Sequence, residues 1–591
     1  MRKRYEALKN KGKIKEKQNM TTHEEQKLIG YPSIDKPWLQ YFDDEQINEE
    51  VPKKTVFDFM YDNNRKYSES VAFEYLGKKY TYKRLFEMVD KATSAFKNMG
   101  VKAGDIVTIC SITTPEIISA FYALNRLGAI SNMVDLRYTP EAIKEYLLEA
   151  ESEILVTLDL CYPLIKNILC QTKAKKVIMV SPTGGATFFV NALSGIKRTV
   201  NIPYGSVYLK WETFISQYSS DMVDVIRFEE NRATLMVHTG GTTGKPKGVL
   251  LSNENILNAT VQIKNANSHC RRGWKFLNIM PPFIAYGIIL GIITPIALGW
   301  YTVVIPKFEV SQFEKLLLKY KPNGIMGVPI YWENIMKSPN ADKLCLDFID
   351  DILIGGDKIP AEFEIRLNRY LAEHNCKATV GKGYSMTEVS ACTTFSSYKS
   401  NVVGSVGVPL TKTCVAAFKS GTTDELKYGI QGELCIKTPT MMLGYYKNSD
   451  ATREVIWEHT DGKWVHTGDI GYVDANGFVF VVDRIKRIIP RSGYKVFPSE
   501  IENLFLKHKA VLQCAVVAVP DEKDVSAPKA HIILKEEYKN QSDIIKEELF
   551  KMFKQSSLPP YFEPVDYKFR DELPLTKIGK IDFRMLEKED E

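Results

Sequence analysis

No two of the ten cysteines form a C-x-x-C pair; they are scattered at positions 110, 161, 170, 270, 345, 376, 392, 414, 435 and 514. That spacing argues against a zinc site and fits a chain kept in a reducing cytoplasm. No repeat of fixed period is present. Excess charge is also scarce. Of the 591 residues, 78 are Lys or Arg and 72 are Asp or Glu, a net charge of +6. The first twenty residues, MRKRYEALKNKGKIKEKQNM, account for all of it, so the rest of the chain is neutral overall. A neutral body lacks the basic face that a nucleic-acid protein needs. The tail itself has three readings: a solvated disordered arm, a weak anchor for anionic membrane or RNA, or an upstream start preceding Met20. No apolar run follows it, so it is not a secretory signal.

Long uncharged runs are missing too, with one exception. FLNIMPPFIAYGIILGIITPIALGWYTVVIP (276–306) carries no charge and is long enough to span a bilayer. Pro281, Pro282, Pro295 and Gly299 punctuate it, and YTVVI is β-branched. The pattern predicts a buried helix followed by a buried strand.

What is present is an alternation of short apolar β-rich runs with helical patterns. VTICSIT (107–113), KKVIMVS (175–181), YTVVIP (301–306) and DILIGG (351–356) read as buried strands. In TPEAIKEYLLEAE, Thr139 is placed to cap, Pro140 fits the first helical position and Glu141 suits the helix dipole. The alternation predicts an α/β fold: a large N-terminal domain of helix-covered, mostly parallel sheets. Further on, GELCIKT and GFVFVVDR suggest a small β-rich subdomain. A small α+β C-terminal domain follows: SEIENLFLKH and SDIIKEELFKMFKQ as helices, AVLQCAVVAVP and KAHIILK as strands. The boundary is expected at VVDRIKRIIPRSG (481–493).

The stretch VHTGGTTGKPKGV (237–249) packs four glycines, three threonines and two lysines into thirteen residues. Glycine amides, threonine hydroxyls and a mobile lysine suit a polyphosphate. The stretch is no Walker loop, because Thr239 stands where the first glycine belongs and Pro246 where Ser/Thr would meet magnesium. Proline also disfavours helical backbone at Lys245. GxGxxG is absent, so it is no dinucleotide fingerprint. TGGTTGKPKG resembles instead the signature loop of the adenylate-forming (AMP-binding) superfamily of acyl- and aryl-CoA synthetases, peptide-synthetase adenylation domains and luciferases. GYSMTE (383–388), GELCIKTPTMMLGYYKN (432–448), WVHTGDIGYVDANGFVFVVDRIK (464–486) and PLTKIGKIDF (574–583) resemble that family's later motifs, in the family's order. The resemblance covers roughly residues 50 to 585 and is nearest to fatty or aryl acid–CoA ligases.

The resemblance implies ATP-dependent activation of a carboxylic acid to an acyl-adenylate, followed by transfer to a thiol. By it, Thr239, Gly240, Gly241, Thr242, Thr243, Gly244 and Lys247 hold the ATP phosphates. Glu388 binds Mg²⁺, a hard ion suited to one carboxylate plus phosphate oxygens, and Thr387 contacts the α-phosphate region. Tyr384 stacks on adenine, with Gly355, Gly356 and Asp357 along its edge. Asp469 accepts from the ribose hydroxyls, with Arg484 assisting. Lys580 bridges the substrate carboxylate and the α-phosphate. Lys486 is the hinge about which a mobile small domain turns, and Gly493 and Lys495 lie on the side of the thiol acceptor. The implied organisation is a tail and extension (1–50), a large AMP-binding domain (51–482), the hinge (483–486) and a small domain (487–591). The implied acceptor is CoA or the phosphopantetheine of a carrier protein, and the implied location is cytoplasmic.

Two departures mark this chain. Pro490 replaces a second lysine that some relatives carry four residues after the hinge, and Lys495, in GYKVFP, is the candidate to substitute for it in part electrostatically. The segment PPFIAYG (281–287) carries no aspartate to meet an α-ammonium, and a buried ammonium without a counter-charge is costly. Acid-pocket candidates are therefore Ile284, Ala285, Tyr286, Lys382 and Gly383, around a hydrophobic or aromatic acid; Lys382 meets either a polar substrate group or solvent. GYSMT as a serine-hydrolase elbow is the remote alternative, since its final glycine is Thr387. A non-catalytic nucleotide sensor is a further one, disfavoured by the retention of Glu388 and Lys580.

Overall fold

The computed structural model describes residues 28–183, 201–216, 225–239, 247–397, 399–491, 494–521, 525–575 and 581–590. Two mostly parallel sheets form the large domain. The eight-stranded sheet runs, edge to edge, through Gly444–Tyr445, Lys247–Ser252, Ala233–Thr239, Ile130–Val134, Ile106–Cys110, Ile154–Leu158, Lys176–Val180 and Tyr208–Lys210. The first two pairs are antiparallel; the remaining five are parallel. The seven-stranded sheet runs Val380–Lys382, Asp351–Ile354, Gly324–Gly327, Lys275–Asn278, Tyr301–Val304, Val71–Tyr75 and Lys78–Thr81. Only its last pair is antiparallel. All four runs read above as buried strands lie in these two sheets. Ile130–Val134 and Ile154–Leu158 are buried at every position, as expected for strands covered on both faces.

The helices begin where local chemistry tells them to. Thr139 Oγ1 accepts from the Ala142 amide at 3.3 Å, with Pro140 at the first helical position of Pro140–Ala150. Thr114 and Pro115 repeat the arrangement for Pro115–Leu127, which ends on Gly128 in the left-handed region (φ 70°). The uncharged stretch folds as expected: π-helical turns over Tyr286–Ile293, one α-helical turn, Thr294–Ala297, then strand Tyr301–Val304. One pair of consecutive prolines, Pro281 and Pro282, and a glycine shape its start. A Cβ on Gly287 would lie 1.8 Å from the Pro281 carbonyl oxygen, so only glycine lets the helix approach that turn. Among the described residues, no helix is long and apolar enough to cross a membrane.

A five-stranded antiparallel sheet, Cys414–Phe418, Gly432–Lys437, Gly462–Val473, Ile456–His459 and Val479–Arg484, follows. Trp38, from Pro37–Tyr41, is buried against it with Phe418, Trp464 and Phe478, which ties the N-terminal extension down. Burying each such large apolar side chain contributes about 1.5–3 kcal/mol. The C-terminal body has its own core, with Ile501, Phe505, Ile532, Leu549 and Phe553 fully buried. Its helices Pro498–Phe505 and Ser542–Lys554 pack on strands Val511–Asp521, Val525–Leu534 and Asp566–Arg570.

Candidate functional site

A cleft of about 3620 Å³ lies where the carboxyl ends of the parallel strands meet the antiparallel sheet and the small domain. Thr239 and Lys247 stand directly opposite each other on adjacent antiparallel strands, so they fix both ends of the glycine-rich loop at the cleft wall. Gly240, Gly241, Thr242, Thr243 and Gly244 lie outside the described residues. The ammonium of Lys247 sits 4.8 Å from the centroid of the Tyr445 ring. The Tyr445 hydroxyl donates to Glu388 Oε1 at 2.6 Å. Tyr445 thus joins the lysine to the carboxylate. Sequence reading passed over it, because an aromatic 57 positions from its partner carries no local signal.

Glu388 rides on a single 3₁₀ turn, Thr387–Val389, and the next two residues, Ser390 (φ 57°) and Ala391 (φ 55°), are both left-handed without being glycine. Such backbone is strained and persists only where surroundings hold it. The Ser390 hydroxyl donates to the Thr440 carbonyl at 2.8 Å, and the Met442 amide donates to the Glu388 carbonyl at 2.8 Å. Among the described residues no donor reaches the second carboxylate oxygen of Glu388, which leaves it to a hard cation: the residues fit Mg²⁺.

Across the cleft, Asp469 is held from both sides. Tyr384 Oη donates to Oδ2 at 2.6 Å, and Arg484 Nε lies 3.0 Å from Oδ1, the two residues being directly opposed on neighbouring strands. The turn before it is fixed by Thr467 Oγ1, which accepts from the Asp469 amide at 3.0 Å, and by Glu433 Oε1, which accepts from the Gly468 amide at 3.1 Å. Burial raises the Asp469 carboxyl above the usual range, against the pull of Arg484 and the Tyr384 hydrogen bond. Tyr384 thus orients Asp469 through its hydroxyl. Next to it, Gly355 is buried at the end of strand Asp351–Ile354, and Gly356 is left-handed (φ 78°). Asp357 accepts from the Lys358 amide at 2.8 Å. His238, just before Thr239, is pushed down to about 4 by burial and is neutral; it bonds Asn132 Oδ1 at 2.7 Å.

On the acid side, Phe283 and Ala285 are buried and Ile284 and Tyr286 half-buried in the cleft wall; the Tyr286 hydroxyl points at the Gly327 carbonyl 3.5 Å away. Gly383 lines the same wall. The expectation for Lys382 needs correction. Lys382 borders the cleft, but its ammonium is shut off from solvent and committed to Glu364 Oε1 at 2.6 Å and the Val402 carbonyl at 2.8 Å, with both side chains at most 2% exposed. Burial lowers its pKa and Glu364 opposes that. Removing one member of such a pair costs about 3–5 kcal/mol, because a charge is left buried and unpaired. Lys382→Met is therefore expected to lower the denaturation midpoint sharply, and Lys382→Met combined with Glu364→Leu to recover most of it. Acid preference is expected to stay unchanged in the double variant; a changed preference would return Lys382 to the pocket.

Ser385 points its hydroxyl at Thr393 Oγ1, 3.1 Å away, and among the described residues no histidine bonds it, which gives a hydrolase elbow no base. Lys486 is exposed after the strand ending at Arg484. Gly493 and Lys580 lie outside the described residues. Lys495 stands directly opposite Pro490 in the hairpin Ile489–Arg491/Tyr494–Val496. On either side of residue 580, Leu575 and Ile581 form an isolated antiparallel bridge, and both line the cleft with Asp582 and Phe583.

Residues 60–446 match the AMP-binding enzyme family and residues 500–580 match the AMP-binding enzyme C-terminal domain. The chain is 30% identical over 569 residues to a long-chain-fatty-acid–CoA ligase of Bacillus subtilis (strain 168), covering 94% of this chain and 98% of that one. It is 30% identical over 466 residues to probable 4-coumarate–CoA ligase 1 of Dictyostelium discoideum, covering 78% and 82%. Among solved structures, ATP-bound MatB from Rhodopseudomonas palustris superposes with a TM-score of 0.79 at 21% identity, covering 90% of this chain and 98% of that one. The anthranilate CoA ligase AuaEII in complex with anthranoyl-AMP gives 0.78 at 20% identity, covering 92% and 98%.

Proposed function

Because the chain belongs to the AMP-binding enzyme family, we propose that it joins a hydrophobic carboxylic acid to CoA through an acyl-adenylate, with Lys580 and the Glu388 and Asp469 clusters as its working parts. The observation that carries this is the pairing of two built clusters across one cleft: Glu388, Tyr445 and Lys247 on one wall, Asp469, Tyr384 and Arg484 on the other. Asp469 accepts from the ribose hydroxyls, a charge-assisted pair, while its own orientation is set by Tyr384 and Arg484. Gly356 and Asp357 border the adenine, and the loop between Thr239 and Lys247 holds the β- and γ-phosphates. Glu388 would hold Mg²⁺, which when bound would supply screening of the phosphate charge.

A carboxylate repels the triphosphate it attacks, so alignment and fixed positive charge do most of the catalytic work. Holding the reacting atoms in line accounts for about 7–11 kcal/mol of the barrier. The carboxylate oxygen attacks the α-phosphorus, pyrophosphate leaves, and Lys580 stabilises the charge shared between the two groups. In the second half-reaction the thiol sulfur attacks the acyl carbonyl, its proton passes to solvent, the acyl C–O bond breaks and AMP leaves with its phosphate monoester intact. That step requires the small domain to turn about Lys486. Gly493 gives the pantetheine arm room, and Lys495, opposite Pro490, supplies the cation that the hairpin otherwise lacks at that position.

The acid is a fatty or aromatic one without an α-amino group. Phe283, Ile284 and Ala285 offer no counter-charge to an ammonium, and Lys382, spent on Glu364, offers none to a second carboxylate. The relatives named above include both fatty-acid and 4-coumarate ligases, and a carrier-protein pantetheine is the alternative acceptor. Acid-dependent ATP–pyrophosphate exchange over a panel of fatty, aromatic and amino acids, with and without CoA, tests the reading. Exchange confined to apolar acids, with CoA-thioester formed, is expected. No exchange with any acid would remove the enzyme reading, and exchange without thioester would favour the carrier protein.

A further inference from the structure

One ion pair crosses from the adenine loop to the small domain. Lys358 Nζ lies 3.6 Å from Glu502 Oε2 on helix Pro498–Phe505, and Glu502 is only 6% exposed. Glu502 is already engaged: its Oε1 accepts from Arg487 Nη2 at 2.6 Å and from the Val516 amide at 3.0 Å. Arg487 follows Lys486 directly. Its guanidinium also faces Asp483 Oδ1 at 3.5 Å, donates to the Val516 carbonyl at 3.2 Å and lies over the Phe583 ring, 3.8 Å from the centroid. Phe583 opens the last helix, Phe583–Asp590, three residues after Lys580. An unbroken run of contacts therefore joins the loop of Gly356 and Asp357 to the hinge and to the flank of the lysine.

The direction of this linkage is legible from the cleft. Leu575, Ile581 and Phe583, on both sides of residue 580, line it, whereas the described residues of the hairpin Ile489–Val496 do not. The small domain is thus turned with the described residues that flank position 580 toward the cleft and the described residues of its hairpin away from it. We propose that Lys358 is a positioning residue that clamps the small domain in this acid-activating orientation, and that the clamp must open before the hairpin turns in for thiol transfer. The role rests on the activity proposed above. Lys358 touches no reacting atom; it acts through Glu502 and Arg487 on where Lys580 is presented.

The test separates the two half-reactions in Lys358→Ala, with Lys358→Arg as the conservative variant. Acid activation is read by pyrophosphate exchange across ATP concentrations, and transfer by single-turnover reaction of preformed acyl-adenylate with CoA. In Lys358→Ala, kcat for exchange is expected to fall about two- to fivefold, the scale of a part-exposed ion pair. KM for ATP is expected to stay constant, transfer to be as fast as wild type or faster, and Lys358→Arg to restore exchange. Equal loss in both half-reactions, no change in either, or a raised KM with kcat intact would each overturn the clamp. Wild-type protein without exchange would instead remove the underlying activity.

Discussion

Lys580→Ala is expected to reduce acid-dependent ATP–pyrophosphate exchange by about 10²–10³-fold, the scale of losing one fixed donor to a transition-state charge. On sequence alone this lysine is an ordinary solvated charge in a polar segment near the C-terminus. The described residues that flank it argue otherwise: Leu575 and Ile581 bridge antiparallel, and both line the cleft. The loss is expected in kcat far more than in KM for ATP, since the phosphates, ribose and adenine keep their own contacts. Transfer of a preformed acyl-adenylate to CoA, which needs no new bond at phosphorus, is expected to proceed nearly as in wild type. Exchange within a few-fold of wild type would withdraw the assignment.

Asp469→Asn is expected to weaken ATP binding while making the empty protein more stable at neutral pH. Hydrogen bonds to a charged acceptor are worth about 1.5–3 kcal/mol each, so losing the charge is expected to raise KM for ATP by one to two orders of magnitude, roughly. Stability moves the other way because the fold raises this carboxyl's pKa: burial opposes ionisation more than Arg484 and Tyr384 favour it. Between the ordinary value of 3.8 and the higher folded-state value, the native state holds a proton that the unfolded chain has lost, so stability falls as pH rises through that window. Above the raised folded-state value the cost is fully present, and Asn removes it; below the ordinary value of 3.8 the gain is expected to vanish. Thermal melts of both proteins across pH, beside ATP titrations, check both arms. A neutral-pH melting temperature that drops in Asp469→Asn would mean that its bonds to Arg484 and Tyr384 outweigh the buried charge.

The strands and helix starts were legible because their causes are local: β-branched runs, and a threonine cap followed by proline at residues 139 and 140. The order of the glycine-rich, GYSMTE, TGD and terminal lysine motifs made the family legible as well. Partnerships were not. Lys382 reads as a free cation until the fold sets it on Glu364, and Tyr445 is one more aromatic until its hydroxyl meets Glu388. Lys358 and Glu502 lie 144 positions apart and are joined only by the way two bodies pack. Residue type and spacing carry propensity and pattern, whereas each of these pairs is decided by tertiary geometry that brings distant segments to one wall. Pro490 falls between the two cases: its departure is visible in sequence, but that Lys495 faces it across a two-stranded hairpin is not.

The acyl-adenylate itself is the claim on which everything else depends, and oxygen labelling follows it directly. The protein is given ATP, CoA and an apolar acid whose carboxylate oxygens are both ¹⁸O, and the AMP produced is weighed by mass spectrometry. If the carboxylate attacks the α-phosphorus and the thiol then displaces AMP at the acyl carbon, one labelled oxygen passes into each AMP and one remains in the thioester carbonyl. AMP without label, or ADP and phosphate in its place, would contradict the account.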